Sequence, residues 1–187
     1  ALIFGLLSFV SYLVEGAVGD WSALYLFEDK GILIEEAVMG VMLFNGTMCI
    51  GRLLGNRLGK HLTSKQVVVG GYLLGSIAMG LIVFLPGHAS MYTYLLLGIS
   101  LAMIVPNLFS AMGEQNVIPM TQAVATSTML GYMGILMGPA LIGFIAHGTS
   151  LTVAFIVLTT LLVVSAGIGK YAYHLMSKDC GLSEEQI

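Results

Sequence analysis

Charged residues are scarce in this sequence. Lysine and arginine together number 7 and aspartate and glutamate 10, so charged residues make up 9% of the chain. Soluble domains carry about 25% charged residues. The composition therefore excludes a soluble globular domain. The net charge is −3 and the chain has no long basic run, so nothing in it suggests nucleic acid as a partner.

Cysteine is also scarce, and the few histidines are scattered. Cys49 lies in an apolar stretch and Cys180 in the polar C-terminal segment, so we interpret both as free thiols. The 4 histidines lie near the ends of apolar stretches without the spacing of metal ligands. We therefore expect no metal site and no cofactor.

The first residues lack the features of a signal peptide. The sequence begins with Ala1 rather than Met and is apolar from there on, with neither a charged leader nor a small-residue cleavage site. We expect it to be the later part of a larger protein.

Hydrophobic residues are abundant, at 57% of the chain, and the mean hydropathy is +0.95. They form long blocks rather than amphipathic stripes, as in membrane proteins. A chain of 187 residues accommodates about six spans of roughly 20 residues. We predict an all-α membrane protein in which residues 1–175 form a six-transmembrane-helix bundle and 176–187 a polar tail. The predicted helices cover about 3–27, 37–54, 66–85, 91–112, 121–146 and 151–175.

The basic residues predict the orientation of this bundle. Six of the 7 lie around the second connection or near the end of the sixth helix: Arg52, Arg57, Lys60, Lys65, Lys170 and Lys178. Only Lys30 lies on the other side. Cytoplasmic segments of membrane proteins are enriched in lysine and arginine. We therefore predict that the second connection, the tail and the start of this chain are cytoplasmic.

The predicted helices differ in polarity. The first, second, fourth and fifth carry Glu15, Asn45, Asn107 and the 126–128 hydroxyl cluster, whereas the third and sixth are almost entirely apolar. We predict that the first, second, fourth and fifth face a cavity and that the third and sixth face lipid.

Residues 11–26 contain the most unusual positions in an apolar run. An isolated carboxylate facing hydrocarbon costs several kcal/mol, so Glu15 must face protein or water. It is a candidate for binding a proton or a hydroxyl-rich solute, with a structural hydrogen bond as the alternative. Asp20 lies roughly 140° further around the helix and is expected to anchor its outer end. Trp21 is either an interfacial residue or a stacking platform at a cavity mouth.

Three further side chains are candidates for contact with a solute. Asn45 and Asn107 are amides in the middle of spans, suited either to hydroxylated solutes or to helix–helix hydrogen bonds. Tyr132 also lies where it can reach a cavity. Arg52 lies near a helix end, where snorkelling toward the membrane surface explains it.

Glycine and proline predict close packing and helix bends. Glycines four residues apart, such as Gly134 and Gly138, let helices approach closely. Pro139 removes a hydrogen bond from the carbonyl one turn earlier and is expected to bend its helix. Pro106, beside Asn107, predicts a similar break in the fourth helix.

Two motifs resemble a known family. Residues 51–61, GRLLGNRLGKH, look like the loop signature of the major facilitator superfamily, in which glycine, Asp-Arg, glycine and basic residues lie between two helices. Residues 15–25, EGAVGDWSALY, are similar to the MosC-like branch, near the fucose-permease type of carriers. The signature residues here are Gly51, Arg52, Asn56, Arg57, Gly59 and Lys60. Asn56 stands where the signature has aspartate, which replaces a charged gating contact by a hydrogen bond.

The resemblance implies the C-terminal half, helices 7–12, of a twelve-helix major facilitator fold. It implies a secondary transporter in the bacterial inner membrane that moves a small polar organic solute by alternating access. The solute is expected to be sugar-like, with symport of protons as an option, and the partner is the N-terminal six-helix half. A drug or metabolite efflux carrier and a non-transporting scaffold are the alternatives. An intramembrane protease is disfavoured, because no second aspartate lies in a span beside Asp20.

Overall fold

The computed structural model describes residues 2–58, 62–114 and 119–180. These residues form α-helices joined by short connections, and no strand occurs among them. The helices are α1 (Leu2–Glu28), α2 (Ile34–Leu58), α3 (Ser64–Phe84), α4 (Gly87–Ala102), α5 (Ile104–Glu114), α6 (Met120–Gly148) and α7 (Leu151–Cys180).

Within the described residues, 6 helical stretches are long and apolar enough to cross a membrane. Helices α4 and α5 together supply one of them, Gly87–Gly113. The predicted all-α membrane bundle of six transmembrane helices is thereby confirmed.

Several helices extend beyond the ends expected from hydropathy. Helix α2 continues to Leu58 and α7 to Cys180, because backbone hydrogen bonding continues into polar residues after the apolar run ends. Helix α3 begins earlier than expected because Thr63 and Gln66 form a capping box, in which each side chain bonds the other's backbone. The remaining tail, 181–187, lies outside the described residues.

A break divides the fourth span at Met103, which ends α4 with φ −103° and ψ −4°. Pro106 lies four residues after Ala102 and cannot donate a hydrogen bond to its carbonyl. The next carbonyl, that of Met103, accepts two hydrogen bonds from Asn107, one from its backbone N–H at 3.2 Å and one from its Nδ2 at 2.8 Å. The break that Pro106 predicted is therefore present, and Asn107 stabilises it.

The helices pack in pairs around a continuous apolar core. The most extensive contacts are α1 with α6, α2 with α4, and α3 with α7. Tyr72 of α3 is fully buried, and its hydroxyl donates to the Leu7 carbonyl at 2.7 Å and lies 2.8 Å from Ser11 Oγ. Tyr72 and the buried Ser76 thus face the core, while Leu73 and Ile77 are exposed.

Helices α1 and α6 approach each other most closely at the glycines of α6. A Cβ atom at Gly134 would collide with the carbonyl oxygen of Phe9, and one at Gly138 with that of Leu13. Glycine is needed at both positions because the α1 backbone occupies the space of a side chain. This is the close helix contact that the four-residue spacing predicted.

Polar contacts join the helices at the end of the bundle that contains the α1–α2 connection, here called the Asp29 end. Thr152 Oγ1 donates to Asp29 Oδ2 at 2.7 Å, and His88 Nε2 lies 2.8 Å from Glu36 Oε2. Lys30 Nζ donates to the Val83 carbonyl at 2.6 Å and lies 5.4 Å from the centre of the Tyr25 ring. These contacts fix the ends of α1, α2, α3, α4 and α7 relative to one another.

Candidate functional site

An ion pair inside the membrane-spanning region joins α1 and α2. Arg52 Nη2 lies 2.9 Å from Glu15 Oε1, within hydrogen-bond distance. The Glu15 side chain is 11% exposed and the Arg52 side chain 44%. The carboxylate is therefore enclosed by protein, whereas part of the guanidinium reaches an uncovered surface. We refer to these two residues as the Glu15/Arg52 ion pair.

Tyr12 lies beside this ion pair, and Tyr132 lies near Tyr12. The Tyr12 hydroxyl is within electrostatic range of Glu15, Arg52 and Tyr132. The Tyr132 side chain, on α6, is 67% exposed. The structure thus brings together side chains from α1, α2 and α6, of which Glu15, Arg52 and Tyr132 were singled out from the sequence.

Close backbone packing sets the direction in which Glu15 points. A Cβ atom at the neighbouring Gly16 would lie 2.7 Å from the carbonyl oxygen of Ile135. That carbonyl is the one whose helical N–H donor Pro139 removes. Gly131 of α6 lies against the ring of Tyr12 in the same way. Because α1 packs directly against α6 on the side of Gly16, the Glu15 side chain extends toward α2.

Glu15 lies midway along α1, between Leu2 and Glu28. At ~1.5 Å per residue it lies about 20 Å from the start of its helix, which predicts a position in the outer half of the membrane. Helix α1 has 27 residues. Its length of about 40 Å exceeds the hydrocarbon thickness of about 30 Å, so the helix extends beyond the hydrocarbon core.

Asp20 and Trp21 do not join the ion pair. Asp20 is exposed on another face of α1. Trp21 is half-buried, and its Nε1 donates to the Pro139 carbonyl at 2.9 Å while its ring covers Gly143. Trp21 thereby connects α1 to α6, beside a cleft of about 530 Å³ at the Asp29 end.

The two asparagines make hydrogen bonds within their own helices. Asn45 Nδ2 donates to the Val41 carbonyl at 3.0 Å, and Asn107 Nδ2 to that of Met103. Asn45 is exposed on α2 and lies two turns before Arg52, so both occupy one face of that helix. Asn107 is half-buried at the break between α4 and α5.

The residues of the loop signature lie only partly in a loop. Gly51 and Arg52, together with the backbone of Asn56 and Arg57, belong to α2. Gly51 contacts Ala102, so its small size serves the packing of α2 against α4. Gly59 and Lys60 lie outside the described residues.

The ion pair is the feature that the sequence interpretation missed. The sequence predicts snorkelling or a place in the gating signature for Arg52, and it predicts no partner for Glu15. A signal was available: Glu15 in the first span and Arg52 toward the end of the second are charged residues within apolar runs, and each is costly there unless it is paired. The pairing depends on how α1 and α2 are rotated about their own axes relative to each other. The sequence of either helix alone does not determine that rotation.

The chain is similar to proteins named as transporters or membrane proteins. It is 41% identical over 88% of its length to an uncharacterised MFS-type transporter of Yersinia pestis, of which it covers 43%. It is 30% identical over 89% of its length to the membrane protein MosC of Rhizobium meliloti, of which it covers 42%. An uncharacterised transporter of Sinorhizobium fredii is 28% identical over 82% of the chain, which covers 41% of it. No protein-family model matches the chain.

The similarity and the helix count agree with each other. The chain spans about half the length of the curated relatives that it matches. The part of the chain that the structure describes contains 6 candidate membrane spans, as expected for one half of a twelve-helix protein. These findings are consistent with a C-terminal half and confirm the resemblance seen in the sequence motifs. The chain therefore belongs to the major facilitator superfamily of transporters.

Proposed function

We propose that this chain is one half of a secondary active transporter that moves a small polar organic solute by alternating access. The Glu15/Arg52 ion pair is the observation that supports this proposal. Ionisable side chains within apolar spans are costly to maintain, and in membrane proteins they mark substrate or ion pathways. Two six-helix halves would rock around such a site and expose it to each side in turn.

The exposure of Arg52 supports its role in binding a solute. The guanidinium contacts Glu15 through Nη2, and 44% of the side chain is exposed. A guanidinium carries five N–H donors in a planar fork, so part of this capacity faces the uncovered side of the bundle. Hydroxyl and carboxylate groups of a sugar-like solute are suitable acceptors. The exposed ring of Tyr132 offers a surface on which a sugar ring can stack.

Proton coupling follows from the same geometry. Adding a proton to Glu15 removes the negative charge that holds Arg52, and the arginine becomes available to the solute. Binding of the solute and of a proton would then favour each other, which is symport. The partner half is expected to close the uncovered side of the site.

A solute screen on the full-length protein is the first test. Thermal shift in detergent should identify stabilising sugars, sugar acids or polyols, and Arg52→Gln should remove the stabilisation. In proteoliposomes, Glu15→Gln should abolish the pH dependence of uptake of the same solute. Glu35→Gln removes an exposed carboxylate at the start of α2 and serves as the control. If uptake and solute stabilisation are unchanged in both Glu15→Gln and Arg52→Gln, the ion pair contributes to packing and not to transport.

An efflux carrier for apolar compounds is the second candidate. Helix α6 exposes Met129, Met133 and Met137, which follow one another at four-residue intervals beside Tyr132. Flexible methionine side chains adapt to apolar ligands of varied shape. Lipophilic cations should therefore be included in the screen. If they stabilise the protein and polar solutes do not, the efflux function is favoured.

A further inference from the structure

A second surface that could bind a ligand lies on α7, far along the chain from the ion pair. A cleft of about 370 Å³ is lined by Gly167, Lys170, Tyr171 and His174. These residues follow one another at helical spacing and so share one face of α7. All of them are exposed.

The cleft opens at a notch in the helix surface. A Cβ atom built at Gly167 has nothing within 4 Å, whereas one at Gly169 meets Val68 and Val69 of α3. Gly169 therefore faces the protein, and Gly167 faces away from it. The absence of a side chain at Gly167 leaves a depression just before the cationic side chain of Lys170.

An apolar strip leads into this notch. Val163, Val164 and Ile168 are 51%, 51% and 41% exposed, and they precede Lys170 and Tyr171 along the same side of α7. Lys170 follows the start of the helix at Leu151 by about 29 Å, at ~1.5 Å per residue. The hydrocarbon core is about 30 Å thick. The strip is thus at acyl-chain depth and Lys170 at the level of the headgroups.

We propose that this face of α7 is a binding site for an anionic phospholipid. The acyl chain lies along Val163 and Val164, the glycerol region fills the notch at Gly167, and the phosphate lies at Lys170. Tyr171 lies at the polar–apolar boundary, which is the depth that amphipathic aromatic side chains prefer. The charge of Lys170 is complementary to an anionic headgroup, and the apolar strip above it favours a lipid over a soluble phosphate.

Lipid retention by the full-length protein tests the proposal. Purified protein is exchanged from detergent into mixtures of phosphatidylglycerol and phosphatidylcholine, and bound lipids are counted by native mass spectrometry. Wild type should retain phosphatidylglycerol in preference. Removing one lysine near a membrane surface costs about 1 kcal/mol of attraction to anionic lipid, so Lys170→Gln should weaken retention about five-fold.

Two further variants separate a specific cleft from general attraction to basic residues. Gly167→Leu fills the notch without changing any charge, and it should also weaken retention while leaving the lipid-free melting temperature unchanged or higher. Lys65→Gln makes the same charge change at the start of α3, outside the cleft, and should retain the lipid. The proposal is wrong if Lys65→Gln loses as much lipid as Lys170→Gln, or if Gly167→Leu loses none. It is also wrong if wild type binds phosphatidylcholine as well as phosphatidylglycerol. A protein partner covering α7 would exclude lipid from wild type and overturn it as well.

Discussion

At the scale of single residues, Glu15 and Arg52 illustrate how the membrane changes the cost of charge. Neither residue is tolerable alone in hydrocarbon, but each neutralises the other at 2.9 Å. Because the two side chains differ in exposure, Glu15 depends more on the ion pair than Arg52 does. The enclosed Glu15 depends on Arg52 for its compensation, whereas Arg52 has access to an open surface and to other acceptors.

This asymmetry predicts unequal effects of removing either partner. Arg52→Gln leaves an enclosed carboxylate without its cation and should lower the free energy of unfolding by about 1–3 kcal/mol. Glu15→Gln leaves a half-exposed guanidinium and should lower it by less. The double variant Glu15→Gln/Arg52→Gln should lose less than the sum of the two, measured by thermal unfolding in detergent. Additive losses would show that the residues do not interact in the folded protein.

Lys30 at the Asp29 end predicts a dependence of stability on alkaline pH. Burial lowers the pKa of Lys30 below its ordinary value of 10.5, and the nearby Asp29 partly opposes this shift. The unfolded chain therefore holds a proton on this lysine over a range where the folded chain has released it. Stability should rise with pH from the lowered pKa up to 10.5.

The comparison with Lys30→Gln isolates this contribution. The difference in unfolding free energy between wild type and the variant should change in favour of wild type as the pH rises through that range. Tyrosines titrate in the same region, and the centre of the Tyr25 ring lies 5.4 Å from Lys30 Nζ, so both proteins carry Tyr25→Phe. A difference that stays constant or falls with pH would contradict the assignment.

At the scale of helices, the contact between α1 and α6 positions the site. Gly134 and Gly138 admit the backbone of α1, Gly131 receives the ring of Tyr12, and Gly16 lies on the carbonyl of Ile135. These contacts leave little freedom for α1 to rotate. The hydrogen bond from Trp21 to Pro139 joins the same two helices further along. The direction of Glu15 is therefore a property of the helix pair.

A glycine comparison tests this contact. Gly134→Ala places a methyl group against the Phe9 carbonyl and should destabilise the protein by about 1–3 kcal/mol. Gly80→Ala is the matched control, because its Cβ would have nothing within 4 Å. Alanine exceeds glycine in helix stability by about 0.5–1 kcal/mol, so the control should be neutral or stabilising. Equal effects in both variants would show that α1 and α6 are not in close contact.

The sequence predicted most of the helices but not the way in which they face one another. Apolar runs gave six spans, and Pro106 indicated the break before α5. The four-residue spacing of Gly134 and Gly138 indicated a close contact without naming α1 as its partner. Tyr72 was grouped with a lipid-facing helix, because nothing in α3 alone shows that Leu7 and Ser11 lie behind it. Rotation about the helix axis depends on neighbours that are remote in sequence.

At the scale of the whole molecule, α2 and α6 leave the largest apolar faces uncovered. Exposed side chains include Met42 and Leu53 on α2, and Leu136 and Phe144 on α6. Helix α1 packs against both of them, and the Glu15/Arg52 ion pair lies among these three helices. The site is thus bordered by two uncovered helix faces. Such faces are expected where a second half of the protein packs, and the chain spans about half the length of its relatives. We expect the rest of the transporter to complete the site.

The orientation of this bundle in the membrane is the last prediction. Among the described residues, five basic residues lie toward the end of the bundle opposite to the Asp29 end, here called the Lys65 end: Arg52, Arg57, Lys65, Lys170 and Lys178. Lys30 is the one described basic residue at the Asp29 end. Because cytoplasmic segments retain such residues, the Lys65 end should be cytoplasmic. Leu62 and Glu35 are exposed at opposite ends of the bundle and provide positions for single cysteines. The background for these variants is the full-length protein in which every native cysteine, including Cys49 and Cys180, is replaced by serine.

A membrane-impermeant thiol reagent added to intact cells should label Glu35→Cys but not Leu62→Cys. After the membrane is permeabilised, both should be labelled, which controls for reactivity. The same orientation places the notch at Gly167 and the cationic side chain of Lys170 in the cytoplasmic leaflet, where anionic lipids attract basic residues. Labelling of Leu62→Cys in intact cells would show that the bundle has the opposite orientation. The proposed lipid site would then lie in the opposite leaflet.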